Sequence, residues 1–204
     1  EDMGCEVIRI SPDENGEINA RDIFAAVNED TFLVSCMLVN NENGYILPVE
    51  KAFSMIKKKY PQVITHCDCV QGFMKIPVKA KKLNADMISL SGHKIYAPKG
   101  IGALYVKKGL RLPPLTFGGG QERGMRPGTE AVPNIAAFAK ACEIRMAHFD
   151  EDYAHVQELA DYMNLNRSYV TTLFKRYLHC SPHEYIQNCR LTKARHLLET
   201  TTFS

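Results

Sequence analysis

Apolar residues in the first three quarters of the chain occur in short runs that end in polar or glycine-bearing loops. The run at 31–39 stops at the polar stretch 40–44, which is typical of a buried strand that leads into a loop. Similar runs at 63–67, 87–90 and 102–106 predict three more strands.

Helical spacing alternates with these runs. Pro48 opens a predicted helix that stops before Pro61, and Pro133 begins a second one. The apolar positions of the first helix are Val49, Ala52, Phe53, Ile56 and Tyr60. This alternation predicts an α/β fold, with a mostly parallel sheet and flanking helices. Ligands of such sheets bind at the carboxyl ends of strands, which focuses attention on Asn41, Asp68 and 91–94.

The character of the chain changes near residue 149, where glycines disappear and strand-like runs stop. We therefore predict an α/β domain over 1–147, a junction at 148–152 and a small all-α segment over 153–204. Within that segment, a helix at 156–163, a tight turn and a helix at 167–177 predict a helix-turn-helix. The outward positions of its second helix are Arg167, Ser168, Thr171, Thr172, Lys175 and Arg176.

Composition narrows the class of protein only moderately. With 204 residues, 45% hydrophobic and 24% charged, the chain is globular, and a net charge of +2 identifies no partner. No apolar run reaches the roughly 18–20 residues of a membrane helix, and the first residues lack signal-peptide features, so a cytoplasmic protein is expected. Its 7 cysteines lack C-x-x-C spacing, so we expect reduced thiols and no metal site, with Cys67 and Cys69 buried on one strand face.

Lys94 is the candidate nucleophile, because it directly follows the strand predicted at 87–90. A lysine in a partly desolvated site can lose its proton and attack an aldehyde. A surface lysine is the commoner explanation of this position when it is taken alone.

Asp68 and Gln71 follow the neighbouring predicted strand. A carboxylate there can keep a pyridinium nitrogen protonated, and an amide three residues later can donate to a ring oxygen. The alternative for Asp68 is that its carboxylate caps the backbone of the residues that follow it.

Four motifs occur in order at 39–44, 66–71, 89–106 and 118–129. They read VNNENG, HCDCVQ, SLSGHKIYAPKGIGALYV and GGGQERGMRPGT. In order and approximate spacing they resemble the NifS-like cysteine desulfurases of the class V aminotransferase group. The resemblance implies a fold-type I domain that binds pyridoxal 5'-phosphate (PLP), forms a homodimer and takes sulfur from L-cysteine for iron-sulfur cluster assembly, leaving alanine.

The resemblance also implies a role for each matched residue. Lys94 would be the lysine that bonds to PLP, and Asp68 the partner of the pyridine nitrogen. Gln71 and Asn41 would contact the oxygen side of the ring. The phosphate would be held by Ser91, His93 and, across the dimer interface, Thr129.

Other parts of that family have no match in the sequence. We find no phosphate loop or ring-stacking histidine before residue 31, and no substrate-binding arginine or persulfide cysteine loop after Ala147. Weak cofactor binding without efficient turnover is the expectation for this chain alone.

The segment after the junction resembles the AraC/XylS-type bacterial regulators. The matching strings are LADYMNLNRSYVTTLFKR at 159–176 and SPHEYIQNCRLTKARHLL at 181–198. This implies DNA binding through the first helix-turn-helix, although basic helices also occur in ordinary solvated bundles. Three hypotheses remain open: a desulfurase core, a DNA-binding regulator with a non-catalytic PLP-type domain, and a non-functional joining of two gene fragments.

Overall fold

A computed structural model describes residues 4–14 and 16–162, together with the separate positions 178, 185 and 192. Its sheet has four strands in the order β1-β2-β3-β4. The strands are β1 (Leu33–Met37), β2 (Ile64–Asp68), β3 (Met87–Ser91) and β4 (Gly102–Val106). All four predicted strands are therefore present, and the predicted α/β class is confirmed.

The sheet is mixed, because β1, β2 and β3 are parallel whereas β4 runs antiparallel to β3. Only residues 92–101 connect β3 to β4. A crossover between parallel strands needs about a dozen residues or more, usually with a helix of its own, so this short connection favours a strand that returns in the opposite direction.

Five α-helices accompany the sheet in the part of the chain that the structure describes. They are α1 (Ala20–Ala25), α2 (Val49–Lys59), α3 (Ala80–Leu83), α4 (Val132–Ala147) and α5 (Phe149–Tyr162). Both helices that the prolines predicted are present as α2 and α4. The short α1 and α3 were not predicted, since 6 and 4 residues are too few to establish a helical period. Short 3-10 helices occupy Gly92–Ile95 and Gln121–Gly124.

One face of the sheet is buried and the other is open. The buried face carries Val63, Thr65 and Cys67 at 0% exposure, and α2 contributes Phe53 and Ile56 to the same core. Large side chains on the other face remain in contact with solvent: Leu33 is 40% exposed, Met37 38% and Leu104 51%. Apolar side chains on this face of the sheet are therefore not covered by other described residues.

Asp86 holds the amino ends of the parallel strands together. Its carboxylate accepts hydrogen bonds from Lys57 of α2, from the Thr65 N–H of β2 at 3.0 Å and from Lys107 after β4 at 3.0 Å. Burial raises the pKa of Asp86, but these hydrogen bonds outweigh burial and lower the pKa to about 2. One buried, charged side chain thus connects α2, β2, β3 and β4.

A second apolar cluster joins α4 to the 3-10 helix after β3. Ile95, Ala97 and Ala141 are its buried members. Phe73 and Phe138 pack against this cluster, and their two rings meet edge to face with centroids 6.4 Å apart. These contacts set the position of the segment that carries Lys94.

The chain divides into two compact units. The first comprises Glu1–Val39 and Leu47–Asp150, and the second comprises Asn40–Ile46 and Glu151–Ser204. Within the second unit, Asn40 closes a turn, because its Oδ1 accepts the backbone N–H groups of Glu42 at 2.8 Å and Asn43 at 3.1 Å. In the described ranges, no helix is both long and apolar enough to cross a membrane.

Candidate active site

Asp68 and Ser91 end the neighbouring parallel strands β2 and β3. The two strands are in register through Asp68 and Ser89, and the Cys69 N–H extends the pairing by donating to the Ser89 carbonyl at 3.0 Å. The candidate residues that follow both strands therefore begin at one edge of the sheet. This edge is the one at which ligands of α/β sheets bind.

The Asp68 side chain turns toward the backbone that follows it. Its Oδ1 accepts the Val70 N–H at 2.9 Å. Asp68 therefore caps the backbone that follows it, as the alternative interpretation of this residue expected. The bond restricts the direction of the half-buried carboxylate, which preorganises it at the end of β2.

Gln71 and Lys75, four residues apart in the loop after β2, form a hydrogen bond with each other. Lys75 Nζ donates to Gln71 Oε1 at 3.1 Å. The pKa of Lys75 is lowered to about 8, first by burial and then by the positive charges of Lys94 and Arg145. Three cationic side chains from three segments thus lie close together at this edge.

Ser91, His93 and Lys94 lie where β3 passes into its 3-10 helix. Ser91 Oγ is 2.7 Å from His93 Nδ1, so the two side chains form one hydrogen-bonded pair. Lys94 is half-buried in the same helix, and Tyr96, the residue after the helix, has a left-handed φ of 70°.

Gly92 permits this tight geometry. It is buried, and its N–H donates to the Ile101 carbonyl at 2.9 Å. A Cβ at this position would lie 2.8 Å from Ile101 Cγ2 and 3.1 Å from Ala97 Cβ. Close packing of the segment before Lys94 therefore requires glycine.

His66 was not singled out from the sequence. Its Nδ1 lies 2.7 Å from Ser35 Oγ and its Nε2 lies 2.8 Å from Ser89 Oγ, so the ring links β1, β2 and β3. Burial lowers the pKa of His66, and the Asp68 carboxylate acts in the opposite direction. In the sequence, Ser35, His66 and Ser89 are three polar residues within separate strand-like runs. Nothing local indicated that their side chains meet.

Cys67 and Cys69 are both fully buried, as predicted, and their sulfur atoms are 3.5 Å apart. The hydrogen bond to Cys69, followed by burial, raises the pKa of the Cys67 thiol. Burial also raises the pKa of Cys36 to about 11. The Cys67 and Cys36 thiols therefore stay protonated at neutral pH and are poor nucleophiles.

Two further candidate residues belong to loops. Asn41 is exposed in the turn of the second compact unit, and Thr129 is exposed in the loop before α4. The predicted DNA-reading residues fall outside the described residues. They are Arg167, Ser168, Thr171, Thr172, Lys175 and Arg176.

Comparison with curated proteins finds similar chains among cysteine desulfurases. The mitochondrial cysteine desulfurase of Saccharomyces cerevisiae is 42% identical over 160 residues, which are 78% of this chain and 32% of that protein. The cysteine desulfurase IscS of Methanosarcina thermophila is 40% identical over 161 residues, 79% of this chain and 39% of that protein. The chain thus spans between about a third and two fifths of the length of these relatives.

Solved structures give the same result. A protein described as NifS-like superposes with a TM-score of 0.73 at 42% identity, over 79% of this chain and 44% of that one. DndA from Streptomyces lividans gives a TM-score of 0.70 at 38% identity, over 79% and 46% of the two chains. The profile of the family described as Aminotransferase class-V matches residues 1–184, and this family and the cysteine desulfurases depend on PLP. The chain therefore belongs to the class-V aminotransferase family.

Proposed function

We propose that residues 1–147 form the PLP-binding core of a cysteine desulfurase that acts on L-cysteine. The observation that carries this proposal is the shared edge of β2 and β3, from which Asp68, Gln71 and the Ser91–Lys94 segment all emerge. The similarity to cysteine desulfurases supports the choice of reaction within the family. The structure of SspA in complex with cysteine, which has a TM-score of 0.66 and 40% identity, supports the choice of substrate.

The donor and acceptor groups at this edge fit the functional groups of PLP. Asp68 offers a carboxylate for a protonated ring nitrogen, and Gln71 offers an amide donor for the phenolic oxygen. The paired Ser91 and His93 offer donors for a phosphate. Lys94 offers a half-buried primary amine for the aldehyde.

Each of these residues would then have one task in the reaction. Asp68, held by the Val70 N–H, would keep the ring nitrogen protonated. When bound, PLP supplies an electron sink for the substrate carbon that loses its proton. Lys94 would hold the cofactor before substrate arrives and then carry that proton. Asn41 would contact the oxygen side of the ring, and Thr129 would reach the phosphate of the other protomer in a homodimer.

The test is a PLP titration followed by visible absorption. We expect an absorption band that borohydride reduction fixes to the protein and that Lys94→Ala abolishes. Lys99→Ala, at an exposed lysine five residues later, is the matched control and should retain the band. Wild-type protein that shows no band, or a band that survives in Lys94→Ala, would overturn the proposal.

Substrate class is tested on the same sample. With dithiothreitol present as the dithiol that carries the sulfur away as sulfide and is oxidised to its disulfide, L-cysteine should alter the band and be converted slowly to alanine, whereas L-serine, which lacks the sulfur atom, should give none. An equal response to both amino acids would exclude a desulfurase.

A second proposal concerns residues 153–204, for which the sequence pattern is the only support. We infer that this segment binds DNA through Arg167, Lys175, Arg176 and the polar residues between them. Binding to duplex DNA should weaken steeply as salt concentration rises, and more steeply than in the Lys175→Ala/Arg176→Ala double variant. Absence of binding at low ionic strength would exclude it.

A further inference from the structure

Lys75 lies beside the candidate cofactor residues and has no role in the reaction described above. It is half-buried, although it carries a charge, and it sits in the loop between β2 and α3. Arg145 of α4 approaches the same loop by donating to the Met74 carbonyl at 3.4 Å. Met74 itself has a left-handed φ of 56°, so the backbone just before Lys75 is held in a conformation that non-glycine residues seldom adopt. This loop is therefore constrained, and the place of Lys75 in it is well defined.

We propose that Lys75 is a positioning residue that sets the orientation of the Gln71 side-chain amide at the cofactor site. An ammonium group can only donate, so the Gln71 atom that faces Lys75 must be the oxygen. The 3.1 Å bond from Lys75 Nζ to Gln71 Oε1 has this arrangement. The amide nitrogen is consequently turned away from Lys75, where it can serve only as a donor. This inference rests on the proposed function, because a phenolic oxygen is the group that such a donor would meet.

The charge environment makes the bond sensitive to pH. Burial together with Lys94 and Arg145 lowers the pKa of Lys75 to about 8. Below that pH the charged ammonium enforces the amide orientation. Above it the neutral amine can accept as well as donate, so the preference for one amide orientation weakens. The charged form of Lys75 thus gives the Gln71 amide a defined orientation over the neutral range.

The first experiment requires no cofactor. In the purified full chain, proton–nitrogen NMR follows the side-chain amide resonances of Gln71, assigned by their loss in Gln71→Glu. We expect them to titrate with a midpoint near pH 8 in wild type and to be insensitive over that range in Lys75→Met. Resonances that ignore pH in wild type, or titrate identically in Lys75→Met, would overturn the inference. This result is independent of whether PLP binds, so it separates failure of the inference from failure of the proposed function.

The second experiment measures PLP affinity from the Lys94-dependent band at pH 7. Lys75→Met should weaken PLP binding about tenfold, the equivalent of one charge-assisted hydrogen bond. Lys75→Arg, which retains a positive donor, should restore most of that affinity. Lys81→Met, at an exposed lysine of α3, is the matched control and should bind like wild type. Equal loss in Lys75→Met and Lys75→Arg would show a merely structural role, and the inference would fail.

Discussion

The two edges of the sheet use charge in opposite ways. At the amino edge, the Asp86 carboxylate receives two lysines and a backbone N–H, and its pKa falls to about 2. At the carboxyl edge, burial first and then the positive charges of Lys94 and Arg145 lower the pKa of Lys75 to about 8. The first arrangement favours the charged side chain and stabilises the fold. The arrangement around Lys75 disfavours its charged form. Such destabilised charges are typical of sites that bind an anion such as a phosphate.

The largest expected effect comes from breaking the amino edge. Asp86→Asn leaves Lys57 and Lys107 without their common carboxylate, so we expect a loss of about 3–5 kcal/mol in the free energy of unfolding, measured by urea denaturation. Glu143→Gln, in an exposed ion pair with Lys140, is the matched control and should change stability by less than about 1 kcal/mol. Similar losses in both variants would contradict the assigned role of Asp86.

The same carboxylate predicts an acid dependence. The pKa of Asp86 is about 2 in the folded chain, below its usual value of 3.8. The unfolded chain therefore binds the proton first as pH falls, and this contribution to stability is lost between about pH 4 and pH 2. Asp86→Asn should lack that part of the acid dependence.

The next effect concerns the segment that carries Lys94. Gly92→Ala adds a methyl group within 2.8 Å of Ile101 Cγ2, so we expect a loss of about 1–3 kcal/mol in unfolding free energy. Gly120→Ala is the control, because a Cβ there meets nothing within 4 Å and its φ of −84° suits alanine. The two variants compared by thermal unfolding should differ clearly, and a tolerated Gly92→Ala would contradict the packing described.

A smaller effect distinguishes the carboxyl edge from the amino edge by the pH range in which it occurs. Because the pKa of folded Lys75 is about 8 and its usual value is 10.5, the unfolded chain binds the extra proton between those values. Stability should therefore rise with pH across that window, by on the order of 1–2 kcal/mol after allowance for partial exposure. Urea midpoints from pH 7 to 10.5 should show this rise in wild type and a reduced one in Lys75→Met. An equal rise in both would contradict the burial of a charged Lys75.

The smallest effect lies on the open face of the sheet. Burial lowers the pKa of His66, while the Asp68 carboxylate raises it. Asp68→Asn removes the opposing charge, so the pKa of His66 should fall further, as measured by NMR titration of its ring. An unchanged or raised pKa would show that Asp68 does not act on His66.

Local pattern was sufficient for much of the fold. The four apolar runs became β1–β4, and Pro48 and Pro133 lie at the beginnings of α2 and α4. Strand ends also identified the edge to which Asp68, Ser91 and Lys94 belong, because the carboxyl ends of parallel strands meet there. The family resemblance added the roles expected of these residues.

Only the tertiary structure brought distant residues together. Asp86 and Lys57 are 29 positions apart, and Arg145 reaches a carbonyl 71 positions away. Local periodicity reports which face of an element is apolar, but it has no information about which polar side chains of other segments will share a buried space. The sequence by itself thus determined the four strands, the helices α2 and α4, the class-V aminotransferase family and the edge of the candidate site. The electrostatics of the two edges, including Lys75 and its partners, arose only when packing excluded water from charges that lie far apart along the chain.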